Sequence, residues 1–393
     1  MIIWFALLIP VLTAVVLYLF FNHKTALWEF FLPFALSACL VGIMKVTTEL
    51  SQTSDTEFWG EKITKAIYSE PWDEEVSCRH EIPCSHPKYC PDKDGKEYQC
   101  GYRHSNDGYE HLYDVDYHSE YWEINTEFGN SDRISKSEYT RLTKKWSNEK
   151  FCDKHRDFHS IDGDWYVTDF PGADDLIECF VSTHTYENRV QASDNIVNFP
   201  EVSEEDVKLY KLYEYPLILD GYKQKGILGF GDSTQRAAEN KVQIINAKLG
   251  PKKQVKLFIL VFRNMDEQVA YYQECLWKGG NKNEFVVCIG IDNLMNVKWC
   301  KPFSYTENQD IKIETRNFVK RMGKLNLSSV ADFLKVEIEQ KFSRKHFKEF
   351  DYLTVEPKDW QIVLTFVLTL IINAFISWWI ITNDIDDKNP TGK

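Results

Sequence analysis

Residues 2–21 are twenty consecutive uncharged, mostly apolar side chains, and nothing else in the chain constrains its fold as strongly. A helix of that length crosses a hydrocarbon core of about 30 Å. Asn22-His23-Lys24-Thr25 interrupts the run. A second apolar run covers 26–46, with Glu29 near one end and Lys45 near the other, and a third, 361–381, carries no charge. Pro10 and Pro33 fall inside the first two, where membrane helices tolerate them. Trp28, Trp360, Trp378 and Trp379 lie near run ends, the positions an amphipathic ring prefers at a headgroup layer. The first run lacks the basic flank and small-residue cleavage pattern of a secretory signal, so it reads as a retained helix. The expectation is an integral membrane protein with three spans: a hairpin within 1–48 (2–21 and 26–46) and a third helix at 361–381.

Such spans put the large middle segment on one side, and the hairpin loop and C-terminal tail on the other. Lys45, Lys341, Arg344, Lys345, Lys348 and Lys358 flank the middle segment, against Lys24, Lys388 and Lys393 opposite. That excess favours a cytoplasmic soluble part, although long loops also translocate regardless of charge. Ser37, Ala38 and Gly42 offer the second span a close-approach face, and Asn373, Ala374 and Ser377 do so for the third. Asn373 is expected to point inward, because an amide facing lipid would be unsatisfied. With 46 Lys+Arg against 59 Asp+Glu, the net charge is −13. Such acidity argues against nucleic acid as a partner. The expected partners are the lipid bilayer and an unidentified protein.

Residues 49–71 read as a helical lead-out from the membrane. Beyond them, 72–199 reads as a small Cys/His-rich β module. Cys78, Cys84, Cys90 and Cys100 fall within 23 residues, with His80, His86 and His104 among or just after them. Thiolate and imidazole at this density suit a tetrahedral structural zinc. The spacing lacks the tight Cys-x2-Cys knuckle, and six cysteines in this half equally allow disulfides. Zinc belongs with a reducing cytosol and disulfides with an exported domain, so the cluster and the topology are one question. Unligated buried thiols are the third reading.

Tyr113-Asp-Val-Asp-Tyr-His118 alternates strictly, which places Asp114, Asp116 and His118 on one face of a strand. Two carboxylates and an imidazole could hold a metal or act as acid and base, helped by His155 or His159. An ordinary strand with a solvated polar face has the same pattern. Residues 164–170 and 177–190 also read as strands.

After a connector at 200–227 the periodicity changes. Residues 233–249 read as a helix stopped by Gly250-Pro251, and 255–262 as a strand buried on both faces. A helix capped by Asp266 ends at Gly279-Gly280, a strand runs from 284 to 291, and 296–300 is a third candidate. Helices are expected at about 311–325 and 329–349, the second with a core stripe of Val330, Leu334, Ile338 and Phe342. A layered α/β domain over 228–350 follows. Cys275, Cys288 and Cys300 are expected there as buried free thiols. Gly226-Ile-Leu-Gly229-Phe-Gly231, just before a helix, has the composition of a phosphate cradle, but a flexible turn is the favoured reading.

The succession LFILVF, a helix ending LWKGG, and NKNEFVVCIGID resembles the TPM-type α/β domain, a membrane-associated module. The resemblance implies a strand–helix–strand order over 228–350. That family's acidic metal-site pattern is not recognisable, so its phosphatase-like activity is not implied. The wording CRHEIPCSHPKYC and YDVDYHSEYW is similar to that of uncharacterised membrane proteins of large bacteriophages, and implies no activity.

The fold class expected is thus a membrane protein of mixed α+β and α/β type. Its three helices tether a β module and a layered α/β domain. The chain has no P-loop, zincin or nucleophile-elbow motif. A non-enzymatic binding or scaffold module is the leading functional expectation, with the aromatics of 109–122 as interface anchors. A membrane-anchored metal-dependent hydrolase is the alternative.

Overall fold

The computed structural model describes residues 2–20, 27–76, 86–103, 114–156, 161–193, 199–231 and 233–383. A 3-10 segment, Ile2–Leu7, runs into α1 (Leu8–Phe20), followed by α2 (Leu27–Thr53). The last helix of the chain, α10 (Asp359–Asn383), packs beside them. Two stretches, Phe31–Thr53 and Asp359–Ile380, are long and apolar enough to cross a membrane, and Ile2–Leu17 is a shorter apolar helix. Three equivalent spans are therefore corrected to two long helices and one shorter. Pro10 has no N–H to close an α-turn onto Ala6, which accounts for the 3-10 winding before it.

The inside of this bundle carries a polar seam beside apolar contacts, and large apolar side chains cover its outside. Gln361, Thr365, Thr369 and Asn373 recur every fourth residue on α10 and are all at most 5% exposed. The Asn373 amide donates to Ser37 Oγ of α2 at 2.8 Å and to the Thr369 carbonyl at 2.8 Å. Thr365 and Thr369 each donate to the carbonyl four residues back. Ile3, Ala6 and Val41 complete the interior, while Val363, Leu370 and Phe375 face outward. Asn373 points inward as its chemistry requires. Two other packing expectations need correction. Ala374 lies on the exposed side of α10, and a Cβ added at Gly42 would meet nothing within 4 Å.

No linker follows α2. Helix passes at Thr53 directly into β1 (Ser54–Ser69), sixteen residues long. The helical lead-out expected over 49–71 thus ends at Thr53. Thr56, Phe58, Trp59, Ile63, Thr64, Ile67 and Tyr68 supply the β-branched and aromatic content that favours a strand. β1 is the central strand of a six-stranded antiparallel sheet. Its first half pairs with β10 (Cys179–Glu187). Its second half lies between β6 (Tyr121–Thr126) and β9 (Trp165–Asp169), with β7 (Ser131–Arg133) and β8 (Glu149–Cys152) outside them. Helix α3 (Lys136–Trp146) covers one face through Tyr139, Leu142 and Trp146, packed on Ile63, Ala66 and Ile124. Two ribbons extend the module: β2 (Trp72–Val76) with β5 (Asp114–His118), and β3 (His86–Pro91) with β4 (Glu97–Arg103).

Short helices α4 (Arg189–Ala192) and α5 (Glu204–Leu209) lead to the second half. The 200–227 segment is more than a connector. It forms the hairpin β11 (Ile218–Leu219) and β12 (Lys223–Gln224), and its Tyr222 is fully buried in the first module's core. Next come β13 (Ile227–Leu228), α6 (Ser233–Lys253), β14 (Lys256–Arg263), α7 (Gln268–Leu276), β15 (Glu284–Ile291), β16 (Val297–Phe303), α8 (Asp310–Arg321) and α9 (Leu327–Lys341). Strands β13, β14 and β15 run parallel and β16 antiparallel. Helices α6, α8 and α9 cover one face, through Val242, Ile245, Ile311, Val330 and Leu334. α7 and the 202–215 segment cover the other. The layered α/β expectation holds. Gly250-Pro251 does not end α6, which continues to Lys253 because Pro251 forfeits only one hydrogen bond in the last turn.

The two halves meet where β1 crosses α6. A Cβ at Gly60 would fall 2.5 Å from the Asn246 carbonyl, and one at Gly250 would fall 2.3 Å from the Gly60 oxygen. Side-chain hydrogens at both crossing points permit this approach. Glu57, 2% exposed, is held by Arg344 at 3.1 Å and Lys282 at 3.7 Å, and Asn283 donates to the Phe58 carbonyl at 2.8 Å.

Candidate functional site

The cysteine–histidine cluster is only partly within the described residues. Cys78, His80, Cys84 and His104 lie outside them, and His86 and Cys100 are described in backbone only, on β3 and β4. Cys90 on β3 is disulfide-bonded. A sulfur in a disulfide has no thiolate to offer a metal. Asp114 is likewise described in backbone only, His159 lies outside the described residues, and His155 is exposed. Among the described residues no group of three His, Cys, Asp or Glu side chains is placed to share a metal.

His118 nevertheless belongs to a site. The β2–β5 ribbon pairs Trp72 with His118, and their rings stack with centroids 3.7 Å apart. His118 Nε2 meets Glu74 Oε1 at 3.2 Å. The 161–164 loop fixes this corner. Asp73 N donates to the Ile161 carbonyl at 3.3 Å, while Ile161 N donates to Asp73 Oδ1 at 2.8 Å. Gly163 has φ +63°, and a Cβ there would sit 2.4 Å from Trp72 Cβ. Only glycine lets the loop lie this close to the indole in a left-handed conformation.

Trp72 and His118 form one wall of an open groove of about 740 Å³, lined also by Tyr117, Tyr121, Trp122, Arg133, Arg156 and Trp165. Its cations lie on its rings. The Arg156 guanidinium is 3.7 Å from the Trp72 ring centre and Arg133 is 3.3 Å from that of Tyr121. Lys154 sits 3.4 Å from Trp165 and Lys136 5.6 Å from Trp122, on the flanks. Flat guanidinium on an aromatic face leaves edge N–H groups that can reach a ligand, although Arg133 Nε also lies 3.7 Å from Glu123 Oε2. Arg156 uses Nε on the Asp162 carbonyl at 2.8 Å. The Trp165 indole N–H is buried and has no partner among the described residues. Beneath the groove, Trp122 stacks on Tyr68, whose hydroxyl donates to Glu120 at 2.9 Å. Burial and the Glu120 carboxylate push the Tyr68 phenol up to about 12. Among the described lining residues Glu120 is the sole carboxylate against Arg133 and Arg156, with Glu74 and Glu123 bordering the groove, so the described lining is aromatic and mildly basic on a chain of net charge −13.

A second pocket, about 360 Å³, lies between α3, the β11–β12 hairpin and α6. Most of its charges are already engaged. Arg141 grips Glu178 through two bonds of 2.8 and 2.9 Å, Lys145 reaches the same carboxylate at 2.7 Å, and Lys223 bonds Glu138. Burial opposes ionisation of Glu138, but hydrogen bonds from Lys223, Tyr222 and Arg141 outweigh it and hold the carboxyl at about 2. Glu239 accepts from the N–H groups of Gly226 and Ile227 at 2.7 and 2.8 Å. The glycine-rich turn thus gives a carboxylate of this chain the donors a phosphate would use.

Sequence reading found His118 and Trp122 but missed Trp72, Arg133, Arg156 and Trp165 as one site. Their signal, Arg and Trp between short strands, becomes legible only once β2, β5, β6 and β9 are paired. Cys275, Cys288 and Cys300 are buried free thiols as expected. Burial pushes the Cys288 thiol well above its ordinary value and Cys300 up to about 12. No family model, curated protein or solved structure matches the chain.

Proposed function

We propose that this chain is a membrane-tethered, non-enzymatic binding protein whose basic aromatic groove receives an acidic segment of a partner protein. The observation that carries the reading is the pair Arg156–Trp72 and Arg133–Tyr121, cations held on rings along one open wall. Such surfaces suit carboxylate-bearing chains, because rings fix the guanidinium plane at little entropic cost. The polar seam inside the helical bundle and its apolar outside support the tether, with the two long apolar helices as the membrane elements.

The disulfide at Cys90 supports an exported soluble body, because such bonds persist in oxidising compartments. That consideration outweighs the lysine excess around the middle segment. The β14–α7–β15 order supports a TPM-type fold for residues 228–350.

The test uses the full chain in detergent with a fluorescent hexaglutamate peptide. Binding is expected, with loss of about tenfold or more in affinity in Arg156→Glu and in Arg133→Glu. Equal binding by both variants and the parent would reject the groove. The competing metal-dependent hydrolase on Asp114, Asp116 and His118 requires stoichiometric zinc that Asp116→Asn releases.

A further inference from the structure

At the membrane-facing end of the soluble body lies a cavity of about 270 Å³, walled by the start of the chain, the end of α2 and the 351–357 segment. Lys45 and Thr48 line it from the C-terminal part of the apolar stretch of α2. Among the described residues Lys45 has no acidic partner, and its ammonium lies 6.0 Å from the centre of the Trp4 ring, which is 44% exposed. Thr48 is 3% exposed and its hydroxyl is buried without a hydrogen-bond partner. A buried polar group without a partner calls for one, and Thr48 is among the residues that line the cavity. Arg189 is not available for that role, since Glu49 at 2.6 Å and Glu187 at 2.8 Å engage it. Asp351, which also lines the cavity, is exposed and has no ion pair among the described residues.

We propose that this cavity holds the headgroup of a zwitterionic phospholipid bearing a primary amine, of the phosphatidylethanolamine class. Its phosphate meets Lys45 and Thr48, its ammonium meets Asp351, and its glycerol lies at the level of Trp4, where aromatic rings mark the interface. The acyl chains run down the exposed flank of Phe5. The lining charges select the class. Lys45 and Arg189 face Glu49, Asp351 and Glu356, so two positive charges oppose three negative ones. A purely anionic headgroup would add to the excess, whereas a zwitterion adds nothing and pairs the free group of each sign. A choline headgroup has no N–H to give Asp351. The inference rests on the membrane reading above.

Full-length protein is purified in detergent, supplied with equal amounts of phosphatidylethanolamine, phosphatidylcholine and phosphatidylglycerol, and examined by native mass spectrometry. The ethanolamine lipid should be retained about tenfold more tightly than either competitor, the worth of one charge-assisted hydrogen bond. Lys45→Gln and Thr48→Val should each erase most of that preference. Thr48→Ser should preserve it, and Asp351→Asn should make ethanolamine and choline lipids equivalent. Equal retention of the three lipids, preference for phosphatidylglycerol, or an unchanged preference in Lys45→Gln and Thr48→Val overturns the proposal. Alkaline extraction of host membranes separates the two layers of the argument. Protein released by carbonate overturns the tether and the lipid site together, whereas protein retained without lipid preference overturns the lipid site alone.

Discussion

The helical bundle buries a polar seam among its apolar contacts, whereas the core of the α/β domain is almost wholly apolar. In the α/β domain Phe258, Val261, Val287 and Leu334 are inaccessible and the helices turn polar faces outward. In the bundle Ser37, Thr365, Thr369 and Asn373 are inaccessible, and large apolar side chains point out. Burial of apolar surface drives the first arrangement in water. On the proposed membrane reading it cannot drive the second, because in hydrocarbon close fit and a few hydrogen bonds must serve instead. One chain would then use two solvents, and the difference between the two interiors is what that reading predicts.

The contrast can be broken most forcefully in the α/β core. Phe258→Ala should cost about 3–5 kcal/mol, the ordinary penalty for emptying an aromatic site in a packed interior. Denaturant unfolding of the full chain in detergent, followed through the soluble body, measures it.

A smaller effect sharpens the exception within that core. Glu284 is 1% exposed, accepting from Tyr215 at 2.5 Å and from Asn281 N and Nδ2 at 3.0 Å each. Burial raises its carboxyl to about 7 despite these bonds. Raised above the ordinary value of 4.5, the group keeps its proton longer in the folded than in the unfolded state. Stability should therefore fall as pH rises from 4.5 towards 7, by on the order of 3 kcal/mol. Glu284→Gln, which keeps an acceptor for Tyr215 and carries no proton to lose, should flatten that slope. An unchanged slope would show that another group sets it.

In the bundle the penalties shrink. Asn373→Leu should loosen it by about 1 kcal/mol, because a membrane hydrogen bond is worth little more. A steric trap in detergent reads the change. Smallest of all, Gly42→Ile should leave the bundle within about 0.5 kcal/mol, since its Cβ would enter open space.

Sequence periodicity made the α/β half legible, down to the bounds of β15 (Glu284–Ile291), because strands buried on both faces are apolar throughout. The inward turn of Asn373 was legible for a different reason: one polar group in an apolar run has one tolerable direction. Gly42 misled because smallness is needed only where another backbone approaches, as at Gly60 and Gly250. The segment after Thr53 misled because proximity to a membrane helix suggested continuation, while its β-branched and aromatic residues said otherwise. The groove was illegible as a unit. Trp72, His118, Arg133, Arg156 and Trp165 are separated by up to 93 positions, and strand pairing alone brings them together.

The direct passage from α2 into β1 has a mechanical consequence. A flexible tether lets a soluble body tumble above a bilayer, but here the chain leaving the helix is itself the central strand of the sheet. In the proposed membrane arrangement, torque applied to the helix reaches the sheet without a joint to absorb it. A change of bilayer thickness that tilts α2 would therefore swing the whole body, and the bearing of the groove relative to the membrane plane with it. The protein would behave as a lever whose short arm lies in lipid.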